Sequence, residues 1–486
     1  MGSQPGSTEG TGGHRRLRNT KVIGTIGPAC DQVDQIRGLI AAGLNVARLN
    51  FSHGSQEQHA ELAARVRKAA ESQGANVAIM GDTRGPEIRS GRLEGAAPVT
   101  LVSGARFQLF TDDRIGNSQG VSVDHRTLPR EVAPGRSIYL DDGSIQLQIE
   151  KTGESTIDCV IIRGGDLGER KGVTAPGALL SLPTLGASDV ADLQFAAEQG
   201  FDYIAASFVR SSLDIERIRD VLRAAGANIP IIAKIEHPLA IEYLEEIVVA
   251  ADGTMVARGD LGVEMPVEQV PLIQKRIIRT TVSAGKPVIT ATQMLDSMER
   301  NARPTRAEAS DVANAILDGT SAVMLSGETA KGAHPLEAVA MMGDIAREAE
   351  DGLAEYGALQ MNPQPVRDRV TDAVAHAACT IAQRAHACAI LTLTESGHTP
   401  RAISKHRPSV PIFAVTSAPR VVRRLALNWG VTGLLKGDGS DEEKTEYGLA
   451  RARELCGDPQ APIVVTAGIS RESGSTNLVR VAKPED

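Results

Sequence analysis

Short apolar runs of strand length alternate with amphipathic segments of helical spacing through most of this 486-residue chain. The clearest instance lies between Ile231 and Pro266. Residues 231–236 (IIAKIE) and 254–260 (TMVARGD) are short and rich in β-formers. Between them Leu239, Ile241, Leu244, Ile247 and Val248 recur at helical intervals against Glu242, Glu245 and Glu246. A strand–helix–strand unit of this kind makes its two strands parallel and close together. Lys234 and Glu236, two residues apart on a strand, share a face. Glu236 and Asp260 then both fall at carboxyl ends of strands.

The same rhythm predicts strands at 21–27, 44–51 and 76–80, with a helix stopping at Gly43 and another over 57–73. From Ser90 to Gly172 the period drops to two. Ile145, Leu147 and Ile149 alternate with Gln146, Gln148 and Glu150, and Asp141-Asp142-Gly143 and Arg163-Gly164-Gly165 mark turns. A small all-β domain is therefore expected inside an α/β one. Strands are expected again at 202–208, 230–236, 252–258, 286–292 and 320–325. Helices fit 188–199, 211–225, 239–250, 267–284 and 304–318, the last opened by a Thr305–Glu308 capping box. Three strands before the insertion and five after it make eight, which predicts a TIM barrel with its active site at the strands' carboxyl ends. The alternative is an open doubly wound sheet. The barrel is preferred because no Gly-x-Gly-x-x-Gly turn follows the first strand.

After a helix over 335–355, Asn362-Pro-Gln-Pro365 reads as a linker. A separate α/β domain follows, with strands at 388–394, 411–416, 431–435, 462–467 and 477–482. The expected organisation is a disordered tail (1–20), a discontinuous TIM-barrel domain (21–89 and 173–355), an inserted small β-barrel lid (90–172) and a C-terminal α/β domain (356–486).

Composition narrows the function. Apolar residues make up 42% and aromatics only 3%, so the cores are aliphatic and base-stacking platforms are not expected. A net charge of -8 also argues against a nucleic-acid surface. No apolar run approaches the roughly 20 residues of a membrane helix. Residues 1–20 are rich in Gly, Ser and Thr around a basic cluster and lack the apolar core of a secretory signal. Five cysteines without a CxxC pair read as reduced thiols in a cytoplasmic protein.

The expected rim gathers polar residues from strand after strand: Arg48, Asn50 and Ser52; Asp82 and Thr83; Lys234 and Glu236; Asp260; Thr292; Ser326. Any one of these is an ordinary solvated strand end, but their coincidence on one rim is not. A lysine beside two converging carboxylates suits a hard divalent cation and an anionic substrate.

Several motifs resemble the pyruvate kinase family: KVIGTIGPAC (21–30), LNVARLNFSHGS (44–55), DTRGPEIR (82–89), AKIE (233–236), MVARGDLGVEMP (255–266), ATQML (291–295), RPTRAEASDVAN (303–314) and MLSGET (324–329). The resemblance runs from about residue 20 to the carboxyl end. It implies phosphoryl transfer from phosphoenolpyruvate to ADP, followed by protonation of the enolate. Glu236 and Asp260 would hold Mg²⁺ (or Mn²⁺), Lys234 and Arg48 would face the phosphoryl group, and Gly259, Asp260 and Thr292 the carboxylate. The resemblance further implies a proton relay near Thr292 and Ser326, and K⁺ bound by Asn50, Ser52, Asp82 and Thr83. It places ADP near Pro28, Asn50, His53, Arg89 and Lys171, with Asp142 facing its metal. In that family a glutamate at the position of Glu87 goes with K⁺ dependence and a lysine with independence. Arg84 stands where lysine is common, and His237-Pro238 where Asn is frequent.

The segment Thr394-Glu395-Ser396-Gly397-His398-Thr399-Pro400, with a helix expected at 401–406, reads equally as an N-cap turn or an anion-binding nest. The resemblance implies an allosteric effector phosphate there, on Thr394, Ser396, Gly397 and Thr399, and a homotetramer. Glu395, and Arg471 as the sole basic residue of the facing loop 470–474, favour a sugar or nucleotide monophosphate over a bisphosphate. Two other classes compete. One is a Mg²⁺-dependent pyruvate or enolate lyase on a TIM barrel, for which lid and ADP are superfluous. The other is a non-catalytic metabolite sensor, which would have lost catalytic residues; none is lost.

Overall fold

A computed structural model describes residues 17–178, 180–361, 370–468 and 476–483. The expected linker at 362–365 and loop 470–474 lie outside these residues.

Eight strands form a closed parallel barrel. They are β1 (Lys21–Thr25), β2 (Val46–Asn50), β3 (Ala78–Asp82), β4 (Tyr203–Ala206), β5 (Ile231–Ile235), β6 (Gly253–Ala257), β7 (Val288–Ala291) and β8 (Ala322–Leu325). Pairing of β1 with β8, Lys21 opposite Ala322, closes the ring. The open-sheet alternative is thereby excluded. Strand alternation sorts the side chains. Ile23, Val46, Met80, Ile232, Met255 and Met324 fill the barrel, while Val22, Ala47, Ile79, Ile204 and Ile231 face the surrounding helices.

The helices follow the apolar spacing, with three departures, one being the break of the 335–355 segment at Gly352 into Pro335–Asp351 and Leu353–Tyr356. The 239–250 segment divides at Tyr243 into Pro238–Glu242 and Leu244–Ala250. The 267–284 segment opens with a 3₁₀ turn, Val267–Gln269, before the helix Val270–Ser283. Pro271 has no N–H to return to the Val267 carbonyl, so the α-helix cannot extend back through it. The helix Arg306–Leu317 carries its capping box, with Glu308 N donating to Thr305 Oγ1 at 3.2 Å and Thr305 N to Glu308 Oε2 at 2.7 Å.

Between β3 and β4 a seven-stranded sheet curls on itself, its two edges joined by the Ser90–Val123 bridge and by Gly91 N donating to Ser122 O at 2.8 Å. It encloses its own core around Leu109, Leu128, Ile138 and Leu147. Its neck pairs Ile88–Arg89 with Gly172–Thr174. The lid sheet thus extends two residues beyond each end of the expected 90–172, because the crossing strands pair with each other before entering the barrel.

The C-terminal domain is a five-stranded sheet of order β11-β10-β9-β12-β13. These strands are β9 (Ala389–Leu393), β10 (Ile412–Thr416), β11 (Val431–Leu435), β12 (Ile463–Ala467) and β13 (Leu478–Ala482). Only β13 runs antiparallel to its neighbour. The domain seals the amino-terminal end of the barrel, where Leu427 joins the interior cluster and Lys21 Nζ donates to Val431 O at 2.8 Å.

The expected tail is too long at its end. Arg18 Nη2 donates to Gly43 O at 2.6 Å, and Asn19 N and Thr20 N donate to the Glu350 carboxylate at 2.9 and 2.6 Å. Polar composition hid these three residues because their partners come from distant segments. Residues 1–16 lie outside the described residues. Among the described residues no helix is long and apolar enough to cross a membrane.

Candidate active site

Lys234 stands at the carboxyl end of β5 with Nζ 2.9 Å from Glu236 Oε1 and 3.2 Å from Asp82 Oδ1. It also donates to Ser207 Oγ at 2.8 Å. Burial pulls its pKa down, yet Asp82, Glu236 and Asp260 outweigh that and hold it well above the ordinary lysine value. It is a fixed cation. Asp82, ending β3, also contacts Arg48 Nε at 2.6 Å. Burial opposes its charge, but Arg48 and Lys234 keep its pKa low. Arg48 Nη1 in turn donates to Thr25 Oγ1 at 2.9 Å. Four strands, β1, β2, β3 and β5, are tied together on one rim.

Glu236 is fully buried. Its Oε2 accepts the Phe208 N–H at 2.6 Å. Its Oε1 touches Lys234 out of line for a hydrogen bond and has no donor of its own. Burial raises its pKa to about 8, with Lys234 opposing and Asp260 adding to the shift. A buried carboxylate with an orphaned oxygen, facing a second carboxylate, fits a hard divalent cation. Among the described residues no three His, Cys, Asp or Glu side chains gather tightly enough to hold an ion alone. A cation held here therefore takes further oxygens from substrate or water. Glu264, four residues beyond Asp260, is raised to about 7 by burial and then by the Asp260 charge. Glu87 and Asp142 are also raised, first by burial, with Asp260 contributing. The acids of the barrel rim and of the lid thus share one cleft.

Thr292 and Gln293 follow β7 at φ 67° and 53°, values rare for a β-branched residue such as Thr292. Arg258 braces this turn. Its Nη2 donates to Thr292 O at 2.8 Å, and its Nη1 pairs with Asp311 at 2.6 Å. Thr292 Oγ1 accepts the Gly259 N–H at 2.8 Å. Asp260 lies in the first turn of the short helix Arg258–Glu264. Ser326, after β8, donates its N–H to Glu328 Oε2 at 2.7 Å, and Glu328 Oε1 takes the Leu295 N–H at 3.1 Å. Ser207, Phe208, Arg258 and Glu328 escaped the sequence reading. The strand-end rule that found the others would have found Ser207 had it been applied to β4.

At the ends of β2 and β3, Asn50 pairs in register with Asp82. Asn50 Oδ1 accepts the Ser52 N–H at 3.1 Å, and Thr83 Oγ1 accepts the Ser207 N–H at 3.1 Å. Pro28 and His53 are exposed on the barrel. Arg89 and Lys171 belong to the lid neck, where Arg89 meets Glu87 at 2.6 Å and Lys171 meets Asp141 at 2.9 Å. Arg84 pairs with Asp192 at 3.1 Å.

In the C-terminal domain the helix after β9 is His398–Lys405, three residues earlier than the expected 401–406, and Gly397 caps it at φ 80°. Gly397 N donates to Thr394 Oγ1 at 2.9 Å. Thr399 is buried, its hydroxyl against that of Thr476. Thr394, Ser396 and Gly397 form the turn itself, while Thr399 points inward.

Fold and site define a TIM-barrel phosphotransferase with a β lid and an appended α/β domain. The family models "Pyruvate kinase, barrel domain" and "Pyruvate kinase, alpha/beta domain" match residues 17–339 and 372–482, and the chain belongs to the pyruvate kinase family. It is 46% identical to a pyruvate kinase of Geobacillus stearothermophilus over 96% of this chain and 80% of that one. A Clostridium acetobutylicum pyruvate kinase is 41% identical, covering 96% and 99% of the two chains. A crystal structure of a pyruvate kinase from Cryptosporidium parvum superposes with a TM-score of 0.89 at 39% identity, covering 96% of each chain.

Proposed function

We propose that this chain transfers the phosphoryl group of phosphoenolpyruvate to ADP, giving pyruvate and ATP, as the last step of glycolysis in the cytoplasm. One observation carries the reading: Lys234 is held charged between Asp82 and Glu236 at the barrel rim, 3.2 and 2.9 Å away. A lysine so fixed stabilises a moving phosphoryl group and the negative charge left on the enolate oxygen. Arg48 grips the phosphoryl group from the adjoining strands. Glu236 and Asp260 hold Mg²⁺ (or Mn²⁺), which when bound neutralises the substrate's oxygens. Thr292 and the N–H groups of Gly259 and Asp260 receive the carboxylate, for which the Gly259–Thr292 hydrogen bond opens toward the ligand. Thr292 and Ser326 orient the water relay that protonates the enolate carbon. Asn50, Ser52, Asp82 and Thr83 supply oxygens to K⁺. ADP enters between Pro28, Asn50 and His53 on the barrel and Arg89 and Lys171 on the lid neck. The lid excludes water and so limits hydrolysis.

The turn at Thr394, Ser396 and Gly397 binds the phosphate of a sugar or nucleotide monophosphate that activates a homotetramer. Its left-handed glycine and helix amino terminus support this, and Thr399 acts from behind by holding the turn. Initial rates of pyruvate formation, with and without ADP, across Mg²⁺, Mn²⁺, K⁺ and single phosphate effectors, test the whole reading. Pyruvate released without ADP would instead identify the lyase.

A further inference from the structure

Cys388 immediately precedes β9, and Cys456 is the last residue of the helix Asp441–Cys456. Both pack on the edge of the same apolar cluster, and both are half-buried. Cys456 Sγ donates to the Cys388 carbonyl oxygen at 3.4 Å, which sets the two cysteines side by side. The other three cysteines are set apart. Cys30 and Cys159 are buried, and Cys379 turns its thiol inward to Ile403 O at 3.9 Å. Burial pushes these three up to about 11, 12 and 12. The pair has no part in the barrel chemistry.

We propose that Cys388 and Cys456 form a reversible intramolecular disulfide, a modification site on the C-terminal domain whose oxidant is a small hydroperoxide. The Cys388 thiolate attacks the terminal peroxide oxygen. The O–O bond breaks, the remaining oxygen leaves as alcohol or water after taking up a proton, and Cys388 becomes a sulfenic acid. Cys456 sulfur then attacks the Cys388 sulfur. The S–S bond forms, the S–O bond breaks, and hydroxide leaves as water with the Cys456 proton. Two thiols lose two electrons and the peroxide gains them.

The order of attack follows from the surroundings. Cys456 ends a helix, where the carbonyl dipoles disfavour a thiolate. The neighbouring Cys456 thiol lowers the pKa of Cys388; burial and Asp458 oppose this, while Arg453 helps. The neighbouring Cys388 thiol, then burial, raises the pKa of Cys456. Since β9 runs from Cys388 directly to Thr394, the bridge fastens the helix to the strand that carries the Thr394–Gly397 turn.

The test is titration of the full chain with hydrogen peroxide, followed by denatured thiol counting, non-reducing gels and peptide mapping. Two of the five thiols should be lost, one peptide should link Cys388 to Cys456 within a single chain, and dithiothreitol should restore both. Cys456→Ser should accumulate a dimedone-reactive sulfenic acid at Cys388, and Cys388→Ser should leave Cys456 unoxidised. Unchanged thiol counts, stable over-oxidation of Cys388 in the wild type, or a bridge between any other pair or between chains would overturn the proposal.

Discussion

Gly259 donates its backbone N–H to Thr292 Oγ1 at 2.8 Å, so two groups proposed for one substrate carboxylate meet each other across neighbouring strand ends. The bond holds the carboxylate pocket in shape and must be exchanged when a ligand enters. Thr292→Val keeps the β-branched shape but removes the hydroxyl. It should lower kcat/KM for phosphoenolpyruvate by about 10- to 100-fold, on the order of 1–3 kcal/mol for a lost hydrogen bond to a charged group. Thr292→Ser should restore most of it. Steady-state kinetics on the two variants decide the matter; equal values would remove Thr292 from the site.

Lys234→Met should lower turnover by about a thousandfold, roughly 4 kcal/mol of transition-state stabilisation. Phosphoenolpyruvate binding should weaken far less. The variant also leaves buried Glu236 without its cation and Asp82 with Arg48 alone, so its melting temperature should fall. Asp260→Asn should instead raise the Mg²⁺ concentration needed for half-maximal rate. Near-normal turnover in Lys234→Met would sink the assignment.

Glu87 sits half-buried in the cleft and pairs with Arg89 at 2.6 Å. Replacing K⁺ by Na⁺ or a bulky organic cation should reduce activity steeply, and Glu87→Lys should reduce that dependence by placing an ammonium near the Asp142 and Asp260 charges. Full wild-type activity in K⁺-free buffer would contradict the proposed oxygen set.

Lys21 is buried where β1 meets the C-terminal domain. Burial, then repulsion from Arg18, lowers its pKa from 10.5 to about 7, with Glu350 opposing. The unfolded chain therefore binds more protons than the folded one between about pH 7 and 10.5, and in that window this lysine makes stability rise with pH. Lys21→Met should flatten the rise. Thermal melts of both proteins from pH 7 to 9.5 give the difference directly; parallel curves would show that Lys21 keeps its ordinary pKa.

Activation by a phosphate monoester should disappear in the Thr394→Ala, Ser396→Ala double variant, the ratio of activated to basal rate falling to about one. Thr399→Ala should act differently, lowering stability by about 1 kcal/mol through loss of the buried hydroxyl contact with Thr476. Rates at sub-saturating phosphoenolpyruvate, with each phosphate added singly, measure the first effect. Chemical denaturation measures the second.

Much of this molecule was determined by the sequence itself. The alternation of strand and helix periods counted the eight barrel strands, and the change to period two between 90 and 172 marked the lid, because each period records which side of an element meets water. The Lys234–Glu236 spacing placed both side chains on one face for the same reason. Tertiary structure alone decided the rest. Asp82 serves Arg48 and Lys234 together because β2 pairs with β3 and only β4 separates β3 from β5 around the barrel, across a separation of 152 residues between Asp82 and Lys234. Phe208 turns to φ 52° and delivers its N–H to Glu236, and Arg258 braces Thr292 from the next strand. Thr399, one of four candidate anion ligands in a single loop, faces the interior because the helix starts at His398 rather than at Arg401. Periodicity fixes the face of an element, but the partners of a strand end or a helix cap are set by where the chain returns in space.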